Sequence, residues 1–266
     1  MRASEVAGRS IVISALIAAL LPRPSLATVI IDNGLGPPNP GNVISTFVPE
    51  SVYVQSNTTA ELVAGGQVGD QVGERFESFD TSTILMSGGF VFDDIFAHDS
   101  SHVLMTGGST TSGLLAEDSA TVLLAAGIVG THLELLNFSF ATVTGGLIGG
   151  CIIAHGSSMV EVTGGSIDCI VADSDPDSFD PAVLITLVGT GFMVNGVPVP
   201  FGPITPEYGD EGTISGTLVS GETIDAIFRR NSSLTEIVLA PEPSTAGLVG
   251  LGLIGIGMLR RSNRVS

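Results

Sequence analysis

Between about Thr46 and Gly189 the hydrophobic positions fall in short alternating runs that return in constant phase. The runs TILM, HVLM, TVLL, ATVT and VEVT each precede a slot held by Gly88, Gly107, Ala126, Gly145 and Gly164, a step of 19 residues. A second set, DIFA, GLLA, CIIA and CIVA, follows the slot. Asp80, Asp99, Asp118, Asn137 and Gly156 keep the same step of 19, and these residue types tolerate turns and left-handed backbone. Alternation within each run marks a strand with one buried side. A unit this small cannot bury its own apolar side, so successive units must stack on one another. The pattern therefore predicts an all-β chain built as a parallel β-solenoid (β-helix-like) of about 19-residue coils over residues 46–189. A tandem of hairpins, the alternative, would place turns every ~8–12 residues without this fixed phase.

The flanks follow from the repeat. An imperfect earlier coil lies at Glu61 to Gly66 (ELVAGG) and a last one at Leu184 to Gly189 (LITLVG), after an insertion. Residues 28–45 read as a lead-in that covers the first coil, and residues 190–240 as a β segment capping the other end. Exposed coil edges need such covers. Within the second of these, Gly212 to Leu239 alternates apolar and polar residues around Gly-rich turns.

The two ends break the pattern. Arg2 and Arg9 precede the 11-residue apolar run Ile11 to Leu21, and Ser25-Leu26-Ala27 follows. This is the layout of a secretory signal peptide, residues 1–27, cleaved after Ala27, and it implies signal peptidase and the export machinery as partners. The run is well short of the roughly 20 residues that span a bilayer. At the other end Pro241-Glu242-Pro243-Ser244 is followed by an apolar stretch of 14 residues, Ala246 to Leu259, and then by Arg260, Arg261 and Arg264. Positive charge beyond an apolar helix holds that end in the cytoplasm.

These three parts in order, over residues 241–266, resemble the PEP-CTERM sorting signal of Gram-negative bacteria, a short transmembrane helix between a Pro-Glu-Pro triplet and a basic cluster. The resemblance implies recognition by a membrane exosortase, with Pro241, Glu242 and Pro243 as the recognition residues and Arg260 and Arg261 as the basic stop. It also implies a producer of extracellular polysaccharide, and residues 212–239 are similar to a strand segment common before such tails. An uncleaved anchor is the other reading of the tail. Gly250, Gly252 and Gly255 match a GxGxxG fingerprint, but no βαβ unit surrounds them.

Charge narrows the partners. Between the two signals only Arg75, Arg229 and Arg230 stand against 25 Asp and Glu, a balance of −22, and lysine is absent from the whole chain. Such a surface repels phosphate backbones, which excludes nucleic acid. Trp is absent and only Tyr53 and Tyr208 are present, so an aromatic platform for sugars is poorly supplied.

Candidate chemistry is sparse. His98 and His155 occupy one coil position three coils apart, about 14 Å at strand spacing, too far to share a metal. Cys151 and Cys169 lie in the matching CIIA and CIVA runs, side by side on adjacent coils and within disulfide reach. They form either a bridge or a packed pair of small hydrophobes. Asp173, Asp175 and Asp177 open like an EF-hand loop and are the chain's calcium candidates, yet position six is Ser178 and position twelve Leu184. No other cofactor is expected. Two functions remain. One is a noncatalytic exported protein of the cell surface or extracellular matrix, sorted by an exosortase and tied to extracellular polysaccharide or biofilm. The other is a β-helix polysaccharide lyase or hydrolase, whose candidate carboxylates, such as Asp99 and Asp118, read better as turn residues.

Overall fold

A computed structural model describes residues 28–32, 42–173, 183–205, 209–230 and 235–243. The expected signal peptide with Ala27, the apolar tail with Arg260 and Arg261, and Asp175 and Asp177 lie outside the described residues. Among the described residues no helix is long and apolar enough to cross a membrane.

The described residues form stacked parallel coils, each with three extended runs. In one coil the runs are His102–Met105, Ser109–Thr110 and Leu114–Ala116, and each hydrogen-bonds in register with the coil before and the coil after. Register steps of 19 join Ile84, Val103, Val122, Ala141 and Val160 in one column. Ile95, Leu114, Leu133 and Ile152 form another. Both columns are buried. Alternation thus has the consequence expected of it: the second and fourth members of His102–Met105 and the first and third of Leu114–Ala116 fill the solenoid interior, and the members between them face out.

The corners explain the phase. Asp80, Asp99, Asp118 and Asn137 all have φ between 56° and 59°, and Gly156 has φ 64°. Short polar side chains tolerate this left-handed turn by bonding nearby backbone. Here they bond the neighbouring coil: Asp99 Oδ2 accepts from the Asp80 amide at 2.9 Å and Asp118 Oδ2 from the Asp99 amide at 3.3 Å. The second corner is left-handed at Gly108 (φ 82°), one residue beyond the expected slot, and at its equivalents 19 residues apart. That offset explains why Ala126 is tolerated: the strained position in its coil is Gly127.

The rungs start with Thr28–Asp32, which pairs in parallel with Ser51–Gln55, and with Asn42–Ile44, which pairs with Ala60–Leu62. Coils here are longer, stepping 24 residues from Val52 to Phe76, which is why the 19-residue phase fades toward the N-terminus. At the other end Thr223–Arg230 adds a parallel rung beside Cys169–Ala172, and Glu236–Pro241 adds one beside Leu184–Gly189. Glu211–Leu218 packs antiparallel against both Thr223–Arg230 and the end of Leu184–Val194. The last column of the core ends in Arg230, registered with Ala172 and only 7% exposed. Its guanidinium donates to the carbonyls of Ile204 and Gly209, both at 2.6 Å. A buried charge demands such partners, so Arg230 terminates the core instead of extending it.

Candidate functional site

Two places carry the candidate chemistry. The first is the exit of the tail. Glu236–Pro241 is flanked by Leu184–Gly189 on one side and by Gly202–Pro203 on the other, with Pro241 the register partner of Gly189. Leu239 is buried, whereas Pro241, Glu242 and Pro243 are exposed. The triplet is therefore not separate from the coils, because its first proline ends the last rung. Proline fits there since the final strand residue needs no ladder donor. The last described rung reaches into the triplet, so the chain continues past Pro243 from this edge.

The second place is the outer side of the third run. Glu77, Phe96, Leu115 and Glu134 form one outward column there, and Phe96 is followed two residues on by His98. His98 stacks on Phe79 with ring centroids 4.5 Å apart and 6° between planes, and on Phe96 at 5.6 Å. Its Nδ1 lies 2.6 Å from Glu117 Oε1 and its Nε2 3.4 Å from Glu77 Oε2. Arg75 lies over Phe96 at 4.5 Å and 3.9 Å from Glu77. Burial disfavours the imidazolium, but the two carboxylates favour it more, so His98 is raised above the ordinary histidine value. A group raised in the folded state lends stability that is complete below about pH 6.5 and is lost as pH climbs through the folded value. Replacing His98 by glutamine is expected to lower the melting temperature by about 2–4 °C at pH 5.5 and less at pH 8.5. Thermal unfolding by circular dichroism at the two pH values checks it, and an equal loss at both would refute the coupling.

His155 stands three coils further on, 3.5 Å from Glu134 and 3.9 Å from Asp173, and His132 lies 3.4 Å from Glu134. His98, His132 and His155 are thus held by carboxylates of their own neighbourhoods, whereas His102 meets the Thr121 hydroxyl. Among the described residues no group of three His, Cys, Asp or Glu is arranged to hold a metal ion. Asp173, the described member of the calcium candidates, ends a strand as the partner of His155. Cys151 and Cys169 are register partners on adjacent rungs, with α-carbons 4.4 Å apart, and are disulfide-bonded. Closing an 18-residue loop, the bridge is expected to contribute about 3 kcal/mol. Urea unfolding of Cys151→Ser beside the oxidised wild type measures this, and equal midpoints would show that the bridge adds nothing.

Sequence reasoning missed the His98 pocket and Arg230. The signal for the first was present, since with the 19-residue step Glu77 and Phe96 share one column, Phe79, His98 and Glu117 share another, and Arg75 stands two residues before Glu77. Arg230 was legible only as the inward member of the alternating pair Arg229-Arg230.

No curated protein and no solved structure matches the chain. Residues 239–262 match the family model described as the PEP-CTERM protein-sorting motif. The match opens at Leu239, two residues inside the terminal rung. The chain is thus a bearer of the PEP-CTERM sorting motif, a motif that supports exosortase-dependent sorting to the cell surface and that begins within the coil stack itself.

Proposed function

We propose that the protein is a noncatalytic, exported component of the cell surface or extracellular matrix, delivered by an exosortase that removes the tail near Pro241-Glu242-Pro243 and associated with extracellular polysaccharide. The observation that carries this reading is the sorting motif starting on the last rung, which ends at Pro241, so that cleavage near the triplet leaves the described rungs intact. The acids support a structural role for the coils. Asp94 accepts from the Gly113 amide at 2.6 Å, Asp93 from the Gly73 amide at 2.6 Å and Asp118 from the Asp99 amide at 3.3 Å. A carboxylate fixed on backbone amides is committed to holding coils together.

The lyase or hydrolase reading keeps one foothold, the meeting of Arg75, Glu77, His98 and Glu117 on one outer side. One experiment separates the two. The purified exported protein is incubated with the producer's own extracellular polysaccharide, and both co-sedimentation and new chain ends are measured. The structural reading expects co-sedimentation with no new reducing or unsaturated ends. Release of such ends, abolished by Arg75→Ala, would replace it with the enzyme reading.

A further inference from the structure

The tail leaves the body beside an unusual piece of surface. Residues 181–206 carry no charged side chain in a chain with 27 acids. Within them Leu184–Val194 turns back through Asn195 and Gly196 into Val197–Pro198. The stretch exposes Met193 (37%), Val197 (55%) and Phe201 (51%), and Met193 and Phe201 with Pro198 and Val199 line a shallow apolar cleft. Isolated exposed apolar residues are ordinary, but a contiguous uncharged patch marks an interaction surface.

Strand register fixes where this patch stands. Leu184–Gly189 runs parallel to Glu236–Pro241 with Gly189 level with Pro241, so Thr190 to Val194 continue past the residue from which the tail departs. Gly202 pairs antiparallel with Leu239, which puts Phe201 and Pro200, the preceding residues, on that same end. The acid of the terminal rung, Glu236, is at the opposite end of its strand, level with Leu184. On the adjoining strand Glu211 lies 3.2 Å from Arg229, and Asp210 lies 3.6 Å from Arg230. The acids on the tail side are thus Glu211 and Asp210, each beside an arginine, the exposed Asp225, level with Met193 across Ser215, and Glu242 of the triplet; the hairpin among them is uncharged, and the chain runs within three residues of Pro243 into the apolar segment Ala246 to Leu259.

We propose that this hairpin surface, through Met193, Val197 and Phe201, seats the solenoid on the bilayer interface while the sorting tail is membrane-inserted. The inference rests on the tail being a membrane segment before processing. An acidic body tethered at the triplet would be repelled by anionic head groups, and an uncharged apolar hairpin beside the tether is the part of its surface that tolerates contact with them. Its consequence is orientation: the triplet is held at membrane depth, within reach of a membrane-embedded enzyme.

The chain lacks tryptophan, so Val197→Trp or Phe201→Trp provides a single reporter, and Leu147→Trp on a mid-stack coil provides the reference. The full chain is reconstituted into vesicles of phosphatidylethanolamine and phosphatidylglycerol, with and without brominated acyl chains. Reporters at 197 and 201 are expected to show blue-shifted emission and at least about threefold stronger quenching by brominated lipid than the reporter at 147, as seating a few ångströms into the interface requires. Equal, water-like emission at all three positions in vesicle-bound chain would overturn the proposal and leave the tail's insertion intact. Protection at 197 and 201 that appears only when an exosortase is co-reconstituted would also overturn it, in favour of protein docking. A chain that fails to bind the vesicles removes the membrane stage itself, and the seating with it.

Discussion

Replacing Pro241, Glu242 and Pro243 together by alanine is expected to leave the coils folded and to cut the processed surface form by about tenfold or more, the loss implied by one missing recognition contact of about 1.4 kcal/mol. The two halves of this expectation rest on different observations. Recognition is assigned to the triplet because it is exposed and lies inside the matched motif. Folding should survive because Pro241 ends its strand and contributes no core side chain, so the substitutions belong to the surface class that changes stability by about 0.5 kcal/mol or less. Quantitative immunoblotting of surface and membrane fractions from a native producer, with melting of the purified body alongside, reads both. A variant that reaches the surface normally would remove the triplet from recognition. One that melts far below wild type would mean that the rung depends on Pro241.

The largest effect on stability is expected at a corner. Gly108 has φ 82°, and a β-carbon placed on it would meet Gly88 O at 2.5 Å and the Met86 methyl at 2.6 Å. Neither conformation nor space admits a side chain, and the clashing oxygen belongs to the backbone of the previous coil. Gly108→Val is therefore expected to cost at least about 3 kcal/mol, lowering the melting temperature by roughly 6–12 °C. Gly73 is the control: its φ is 94°, but nothing lies within 4 Å of an added β-carbon. Gly73→Val should show the backbone term alone, about 1–2 kcal/mol. Equal losses at the two positions, measured by urea unfolding, would refute the claim that coil-on-coil contact sets the corner.

The stack was legible because its information is periodic. Asp80, Asp99, Asp118 and Asn137 announce one corner, and the paired glycines announce the other. The alternating runs between them assign inside and outside without reference to any partner. The same logic failed where the period changes. The step of 24 between Val52 and Phe76 hid the early rungs, so that Asn42–Ile44 looked like a lead-in although it pairs with Ala60–Leu62. The C-terminal end was harder for a different reason. Thr223–Arg230 and Glu236–Pro241 join the stack as parallel rungs, yet both arrive through segments that also pair antiparallel. No local spacing encodes that mixture. It also put Pro241 inside a rung, where a motif-based boundary had set it apart. The site on the outer side follows neither rule, since Glu77, His98 and Glu117 meet only once the coils are superimposed.

The central claim is that the sorting motif is consumed on the way to the surface and that the coil stack is what remains. Intact-mass analysis of the extracellular protein from a native producer tests it most directly. The account predicts a chain starting after Ala27 and ending near Pro241-Glu242-Pro243, without Arg260 and Arg261. A mature surface protein whose mass still includes both arginines would contradict it and establish the tail as a permanent anchor.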